Sequence, residues 1–583
     1  MKKSIKENYL ILLLFLVLSI FMIGLVDWQF GQIFATGDFH YHLDRIETLA
    51  SSLKQLNFWP KVDGNFIGGY GYASSLFYPD IFLYPAALLR VAGATPTVSY
   101  LFTLVLINFV TLWIGYIAGK RLTFSVPKAL LFTILYAFNI YRLQTLYSRQ
   151  DLGELMGMMF FPLVLSELIN LKKGQTKQWY ILALAMIGIA SSHTISLFMI
   201  IVFASMFVLL NIRTFWNKER LLAIVKAAVL TLGVSAAIYL PILEQMQNQH
   251  YALTTDRLIN ITDEVLPLKS LIQNSLTNQV FHADTVNLGT VVLIGLIVYT
   301  VYNVLHRKNL DITIIADFLF FSCTSYFPWK MLSHSIFSMI QFPWRFFSLI
   351  SLIVVYLLVN DDLHIFDKRY FEYALVGVTL AVAIGLGQQT IAQSKDSLET
   401  YGEFNKIDSY YIGAGHEYLP SEVSYPRVLD HKQRIINYDK NDIAVSNVAI
   451  NRSYVAFNFD TGNKTAKVQL PLIYYKGYQA EIYGDDGSAT TPHISHSGLT
   501  TVDLKGTGTV KIQYEKTFIQ KLSLIISGAT LLLMALAYID LQRRKHVSLS
   551  TQVPIFVVPV QNDYVFVYQI VDPGGPYQLG KSR

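Results

Sequence analysis

Charged residues are scarce in this sequence. Asp, Glu, Lys and Arg make up 15% of the 583 residues, whereas hydrophobic residues make up 53%, and the mean hydropathy is +0.39. Several apolar stretches approach the length of about 20 residues that a helix needs to cross a bilayer. This composition is typical of polytopic membrane proteins.

Cysteine is almost absent. The single cysteine, Cys323, lies in an apolar run, which excludes a disulfide framework and a cysteine metal site. No small-residue cleavage site follows the first apolar stretch, Tyr9 to Val26, so we interpret it as a retained signal-anchor helix. The net charge of +6 reflects the cytoplasmic lysines and arginines of a membrane protein and predicts no nucleic-acid partner.

Hydropathy predicts about twelve membrane crossings. Besides the first, they lie near residues 98–117, 125–141, 153–171, 178–192, 194–211, 222–243, 288–305, 313–327, 344–360, 370–388 and 518–540. With both termini in the cytoplasm, the Lys and Arg clusters between spans fall inside, as the positive-inside rule requires of a cell membrane protein. Residues 76–93 would break this register as a crossing and contain Pro79 and Pro85, so they are predicted to be interfacial or re-entrant.

The same topology places several segments on the outer face: residues 27–97, 142–151, the turn at His193, 244–287, 328–343 and 389–517. The last segment is polar and alternates apolar and polar residues between Gly, Asn and Asp, as in Val445 to Phe459, Lys467 to Tyr475, Tyr478 to Tyr483 and Val510 to Tyr514. Such alternation predicts antiparallel strands of a small β-sandwich.

The predicted fold class is therefore an α-helical polytopic membrane protein with an extracytoplasmic, all-β, sandwich-like domain before the last helix. Its predicted parts are a membrane domain at 1–388 with a first outer loop at 27–97, a β-rich domain at 389–517, a final transmembrane helix at 518–545, and a cytoplasmic tail at 546–583. We assign no role to the tail, although short β-prone runs surround Val557 and Val565.

The first outer loop contains the most unusual polar pattern, GDFHYHLDRI. If it is helical from Asp38, then Asp38, His42 and Arg45 share one face at the membrane surface. The alternative is that Asp38 caps this helix, which is the common role of an acid at a helix start. His40 and His42 are two residues apart and would point to different sides of a helix, so no dedicated zinc site is predicted.

Three further polar groups lie at the outer ends of the predicted spans. Arg149, Asp151 and Glu154 occur in YSRQDLGE, and a charge such as Glu154 inside a span is usually paired or functional, with Arg149 as the expected partner. His193 either binds an anionic head group or caps a helix. Arg345 beside Trp344 either holds a lipid phosphate or belongs to an aromatic belt.

Together these residues suggest chemistry on a lipid-linked anion. An ionised carboxylate can take a proton from an acceptor hydroxyl, while fixed cations stabilise the charge on a departing phosphate. A divalent ion held by Asp38 with Asp151 or Glu154 stays open as a cofactor.

Several motifs resemble a known group of bacterial integral membrane proteins. They are GDFHYHLDRI, Trp59-Pro60, FIGGYGYASSLFYPDIFLYP, YSRQDLGE, SHT, QFPWRF and LPLIYYKGYQAEIYG. The sequence is similar to proteins labelled 6-pyruvoyl-tetrahydropterin synthase-related and to YfhO-type proteins, although no zinc-binding histidine triad of the soluble synthase is present. The resemblance implies a GT-C class glycosyltransferase that uses a polyprenyl-phosphate-linked sugar or another lipid-linked glycan.

Carried onto this sequence, the resemblance makes Asp38 the candidate catalytic base and Arg149, His193 and Arg345 candidate phosphate or sugar contacts. His42, Arg45 and Glu154 complete the predicted binding set. The best-known GT-C pattern has a second acid in this loop, where this sequence has Phe39.

We therefore predict a cell-surface glycosyltransferase in contact with membrane lipids. The alternative is a non-enzymatic protein that binds, moves or scaffolds lipid-linked envelope polymers. The third hypothesis is an ion- or solute-coupled transporter. Catalysis requires the Asp38 carboxylate, whereas lipid binding does not. Tyr474, Tyr475 and Tyr478 of the β-rich domain either stack on acceptor sugars or belong to its core, and we favour the core.

Overall fold

The computed structural model describes residues 2–583 except 30, 254–258, 281–284, 406–410, 414, 431–433, 485, 551–555, 561–562, 570–578 and 582–583. The chain divides into two units, Met1–Ser523 and Leu524–Arg583. The first unit contains the helical bundle and a β-sheet domain. The domain boundaries inferred from the sequence remain a prediction.

Long apolar helices dominate the bundle. In the described part of the chain, seven helices are long and apolar enough to cross a membrane: Asn8–Val26, Pro96–Arg121, Leu152–Lys172, Lys218–Asn248, Pro343–Asn360, Arg369–Gln393 and Phe518–Asp540. The pair Val126–Ala137 and Ile140–Arg149, bent by 46°, would make eight. The chain is thus a multi-pass membrane protein, but the twelve crossings are not confirmed. Hydropathy detects apolar windows, and several windows are shorter helices, such as Trp179–Ala190 and Thr290–His306.

Besides Trp179–Ala190 and Thr290–His306, the bundle has further described helices that are shorter than the long spans. Its helices outside the long spans are Phe39–Lys54, Ser74–Phe77, Tyr84–Val91, Thr194–Leu210, Ile212–Phe215, Leu268–Thr277, Leu310–Ser322, Trp329–Leu332, Tyr401–Phe404 and Tyr425–Asp430, with 3₁₀ turns at Ile67–Gly69, Ile81–Leu83, Ile336–Ile340, Pro343–Phe346 and Lys395–Ser397. The apolar helix within residues 76–93 is Ile81–Val91, which is among the helices too short to count as a membrane span. This agrees with the interfacial or re-entrant segment predicted from the sequence.

Burial separates central from peripheral helices. The most apolar stretch of Leu152–Lys172 is 94% buried and that of Pro343–Asn360 is 89% buried, whereas that of Arg369–Gln393 is 22% buried. The two central helices carry the candidate residues around positions 151 and 345. These side chains therefore lie at the ends of packed helices rather than at a lipid-facing surface.

The β-rich domain is one antiparallel sheet of seven strands, Asn437–Tyr438, Ala444–Ile450, Tyr454–Ile473, Tyr478–Tyr483, Ser488–Ala489, His493–Ile494 and Leu499–Tyr514. The predicted strand regions are confirmed, but they do not form the expected two-sheet sandwich. Two long strands, Tyr454–Ile473 and Leu499–Tyr514, pair along both halves of the domain. The ladder shifts register between Lys505 and Thr507, and such an irregularity lets one sheet bend around a core.

A small sheet joins the first loop to the segment after the bundle. Strands Trp28–Gln29, Gln32–Phe34 and Leu398–Thr400 pair in that order. The second unit holds the end of the last helix, Phe518–Ser550, and strands Phe556–Val560, Asp563–Gln569 and Leu579–Lys581. The β-prone runs around Val557 and Val565 are thus strands.

Candidate functional site

A cavity of about 440 Å³ lies where the polar loops of the bundle meet. We call it the arginine cavity because Arg149 and Arg345 line it together with Asp38, His42, Asp151, His193 and Glu417. Its lining comes from stretches that are far apart in sequence, all of which the topology argument assigned to one face of the membrane. The structure brings them together around one cavity.

Asp38 enters this cavity from a fixed position. Its backbone N–H donates to the carbonyl of Arg149 at 2.8 Å, and Gly37 before it has φ +57°. Asp38 occupies the cap position of helix Phe39–Lys54, but its side chain makes no capping hydrogen bond. The capping explanation is therefore not supported, and the carboxylate faces the cavity.

Gly37 explains how the loop approaches so closely. A Cβ at this residue would lie 2.0 Å from the carbonyl oxygen of Arg149. We expect Gly37→Ala to lower the thermal unfolding midpoint of the purified protein well below that of Gly31→Ala. Both residues have positive φ, which costs a side chain about 1 kcal/mol. Apart from its chain neighbours, however, no atom of the described residues lies within 4 Å of the position that a Cβ at Gly31 would take. Equal midpoints for the two variants would contradict this tight contact.

His42 and Arg45 are in contact, with Arg45 Nη1 3.3 Å from His42 Nδ1, but only His42 reaches the cavity. His42 Nε2 lies 3.9 Å from Asp151 Oδ1, and burial together with Arg45 lowers the pKa of His42 to about 3. The imidazole is therefore neutral at the cavity wall. Arg45 does not line the cavity: its Nη2 donates to Asp80 Oδ1 at 2.7 Å and to the carbonyl of Pro79 at 2.8 Å. It fixes the turn at 78–80 rather than reaching a substrate phosphate.

Two buried arginines share two acids. Arg149 pairs with Glu154 at 2.9 Å and with Asp151 at 3.2 Å, so the expected Arg149–Glu154 pair is present. Arg345 Nε lies 3.4 Å from Glu154 and Arg345 Nη2 lies 3.8 Å from Asp151. Glu154 is 1% exposed and also accepts a hydrogen bond from Tyr141. It lies behind the cavity and holds the arginines, instead of contacting a substrate.

A broken helix turns Arg149 and Asp151 toward the cavity. Thr145–Arg149 is a π-helical turn, Gln150 is left-handed, and Asp151 caps helix Leu152–Met158 by accepting the backbone N–H of Glu154 at 2.9 Å. π-Helical turns of this kind are frequent at functional sites. The irregular backbone therefore projects an acid and a guanidinium from adjacent turns.

His193 and Arg345 complete the walls. His193 lies before helix Thr194–Leu210 without capping it; its Nδ1 is 2.9 Å from Ser196 Oγ and its ring stacks on Tyr78. Arg345 donates to Gln341 Oε1 at 3.0 Å, while its buried Nε has no hydrogen-bond partner in the described part of the chain. Trp344 is 6% exposed and packs 4.5 Å from the Arg149 guanidinium, so it is not a lipid-facing belt residue.

Two contributors were missed by the sequence. Glu417 lines the cavity and accepts from Gln341 Nε2 at 3.2 Å, and burial raises its pKa. Tyr78 donates to Asp151 Oδ1 at 3.4 Å. Tyr78 lies in the motif FIGGYGYASSLFYPDIFLYP, but no role was predicted for it from the sequence. Glu417 comes from the predicted β-rich segment, and only tertiary folding brings it here.

The electrostatic environment makes Asp38 an unusual acid. Burial and the neighbouring Asp151 raise its pKa to about 7, an effect that the charge of Arg149 partly offsets. An aspartate with such a pKa is divided between its acid and base forms near neutral pH.

The acids also include a candidate metal set. Ligand atoms of Asp38, His42 and Asp151 lie within 4.8 Å of one another, and carboxylates with one imidazole suit a hard divalent ion. Of the two acids considered with Asp38, Asp151 fits and Glu154 faces the arginines. His40 instead pairs with Glu399 at 3.0 Å on another side of the helix, so the two histidines do not chelate together.

The fold and this cavity define a class: a multi-pass membrane protein with a β-sheet domain and a buried acid–arginine site. Residues 64–402 match the family of the bacterial membrane protein YfhO. The chain belongs to that family, which covers more than half of it. This match confirms the YfhO part of the resemblance, whereas the label related to pyruvoyl-tetrahydropterin synthase is not shown.

One relative in sequence and one solved structure show how remote the detected similarities are. An uncharacterised protein of Lactococcus lactis is 23% identical over 574 residues, covering 86% of this chain and 89% of that protein. The apo oligosaccharyltransferase of Archaeoglobus fulgidus has a TM-score of 0.40 and 14% identity, covering 70% of this chain and 56% of that one. A structural similarity of this size does not define the fold or the activity of the present chain.

Proposed function

We propose that this protein is a GT-C-like glycosyltransferase of the bacterial cell envelope that transfers a sugar from a polyprenyl-phosphate-linked donor to an acceptor on the outer side of the cell membrane. The observation that carries the proposal is the Asp38 carboxylate, which is free of capping bonds in a cavity walled by two buried arginines. A proton acceptor and anion-binding groups in one cavity are what transfer from a phosphate requires.

The proposed transfer step uses Asp38 as the base and the two arginines to stabilise the leaving phosphate. The acceptor hydroxyl attacks the anomeric carbon of the donor sugar, and its proton passes to an Asp38 oxygen. The bond between that carbon and the phosphate oxygen breaks, and the electron pair stays on the phosphate. Arg345 and Arg149, which both line the cavity, stabilise that charge.

The apolar part of the lining supports a lipid-linked donor. It includes Ile242, Met246, Leu253, Met339 and Phe342. Apolar side chains suit an isoprenoid chain, while the arginines of the same cavity suit its phosphate. A divalent ion on Asp38, His42 and Asp151 would add positive charge near the same phosphate.

The alternative function is binding of lipid-linked polymers without bond cleavage. The same apolar wall and the same cations would serve it, and Asp38 would have no chemical role. Comparing the lipid-linked sugar pool and the surface glycans of a deletion strain with those of the complemented strain tests the proposal. If the deletion strain loses a surface sugar and accumulates its lipid-linked donor, transfer is supported. If the sugar composition is unchanged but the polymer is found at a different place in the envelope, binding alone is supported.

The pH profile of transfer should report Asp38. A base must be ionised, and the pKa of Asp38 is raised to about 7 by burial and Asp151. We therefore expect the rate without added metal to fall about tenfold per pH unit below about pH 7 and to level off above it. Initial rates of the purified protein in lipid nanodiscs measure this. Bound Mn²⁺ should move the midpoint to lower pH, because a cation favours the carboxylate; a rate independent of pH down to about pH 5 would contradict Asp38 as the base.

A further inference from the structure

A second cavity of about 440 Å³ lies between the first loop and the β-sheet domain. We call it the lysine cavity because Lys61, Lys516 and Lys521 line it, with Arg452 as a fourth cation. It has no lining residue in common with the arginine cavity. Both border helix Phe39–Lys54: Tyr41 and His42 line the arginine cavity and Ser51 and Ser52 the lysine cavity, about 15 Å apart along the axis.

The cations of the lysine cavity are not neutralised by acids. In the part of the chain that the structure describes, none of the four forms an ion pair. Their hydrogen-bond partners are neutral: Lys516 donates to Asn57 Oδ1 at 3.4 Å, and Arg452 donates to Asn65 Oδ1 at 2.9 Å. The arginines of the bundle differ, since Arg149 and Arg345 each face acids. One acid, Glu515, lines the cavity, so its net charge is positive.

Lys61 is the most constrained of these cations. It is 4% exposed, its Nζ donates to the carbonyl of Ala237 at 3.2 Å, and burial lowers its pKa to about 8. The nearby acids are engaged elsewhere, Asp63 by Ser75 and Asp80 by Arg45. A buried ammonium without an acidic partner is costly, and an anion in the cavity would remove that cost.

The rest of the lining is suited to sugar hydroxyls. Neutral side chains that donate and accept hydrogen bonds surround the cavity: Thr48, Ser51, Ser52, Gln55, Asn57 and Asn65. Trp59, Tyr478 and Tyr514 add aromatic surface. A phosphate alone needs only a few donors, whereas so many neutral polar groups match a polyhydroxylated ligand.

We propose that the lysine cavity binds an anionic saccharide, in which sugar units carry phosphate or carboxylate groups. The cations hold the acidic groups, and the Ser, Thr, Asn and Gln side chains hold the hydroxyls. This goes beyond sugar transfer, because binding here requires no chemistry in the arginine cavity. The site would retain an envelope glycan at the junction of the loop and the β-sheet domain.

Binding of an oligogalacturonate to the full chain in phosphatidylcholine nanodiscs tests this inference. We expect calorimetry to show binding that weakens with added salt, with little binding of a neutral malto-oligosaccharide of equal length. Lys516→Gln combined with Lys521→Gln should weaken binding about tenfold, since two charge contacts are lost. The matched control, Lys467→Gln with Lys505→Gln, removes two exposed lysines of the same domain that do not line the cavity and should bind as the wild type does.

The other outcomes overturn the inference. Equal binding of the neutral and acidic oligosaccharides, absence of binding, or equal losses in both double variants would exclude an anionic saccharide site here. If phosphatidylglycerol in the disc, and not the oligosaccharide, stabilises the protein through Lys516 and Lys521, the cavity holds a lipid head group instead. Asp38→Asn should bind the oligogalacturonate normally, which separates this test from that of sugar transfer.

Discussion

Asp38→Asn is expected to reduce sugar transfer by about a thousandfold or more while the protein stays folded and still binds polyprenyl phosphate. The change keeps the size of the side chain but removes the carboxylate that we propose takes the proton from the acceptor hydroxyl. General-base catalysis contributes about 10²–10⁴-fold. Because Asp38 makes no capping bond, its loss has no structural cost of that kind. Initial rates and lipid binding in nanodiscs measure the two effects separately.

Glu417→Gln is the matched control for this experiment. It removes a carboxylate that lines the same cavity. This carboxylate contacts Gln341, and we assign it no role in accepting the proton of the acceptor hydroxyl. We expect the transfer rate to fall by less than about tenfold, because this change alters only the electrostatic field in the cavity. If Asp38→Asn transfers sugar as the wild type does, Asp38 is not the base and the lipid-binding alternative is favoured. If Glu417→Gln shows the larger loss, the roles of the two acids are reversed.

The largest expected effect on stability follows from Glu154→Gln. This acid is buried and is paired with both Arg149 and Arg345, so its neutralisation leaves two buried guanidinium groups with Asp151 as the shared acid. Breaking a buried ion pair from one side costs about 3–5 kcal/mol. The measurement is thermal and denaturant unfolding in detergent, where we expect a clearly lower midpoint than for the wild type.

Two comparisons make the Glu154 result specific. Asp367→Asn removes an acid that is 70% exposed in its pair with His364, and we expect no measurable shift because exposed pairs contribute little. Combining Glu154→Gln with Arg345→Met removes one orphaned charge and should recover part of the lost stability. A Glu154→Gln protein as stable as the wild type, or no recovery in the double variant, would show that the cluster does not depend on this acid.

The site shows where reasoning from the sequence succeeded and where it did not. The positive-inside argument grouped Asp38, Arg149, His193 and Arg345 on one face, and all four line one cavity. It did not separate lining residues from residues behind them. Arg45 was grouped by helix periodicity but is turned to Asp80, because the 78–80 turn packs against that side of the helix. Helix periodicity shows which residues share a face of the helix. It does not show which segment packs against that face, because that segment comes from elsewhere in the chain.

The fold divides in the same way. Alternation predicted the strands between residues 445 and 514, but not their pairing into one bent sheet. Tyr474, Tyr475 and Tyr478 are each less than 10% exposed, which agrees with a core role. Tyr478 also borders the lysine cavity, a position that no local pattern indicates.

The sequence by itself determined that this chain is a multi-pass membrane protein and that a β-rich segment precedes the last helix, and it predicted that acids and arginines collect at one face. These properties follow from hydropathy, charge bias and periodicity, which are local. The tertiary structure alone decided that Glu154 supports the arginines, that Glu417 enters their cavity, and that a second, cationic cavity exists. Burial, ion pairing and cavity shape depend on contacts between residues hundreds of positions apart, and composition carries no record of them.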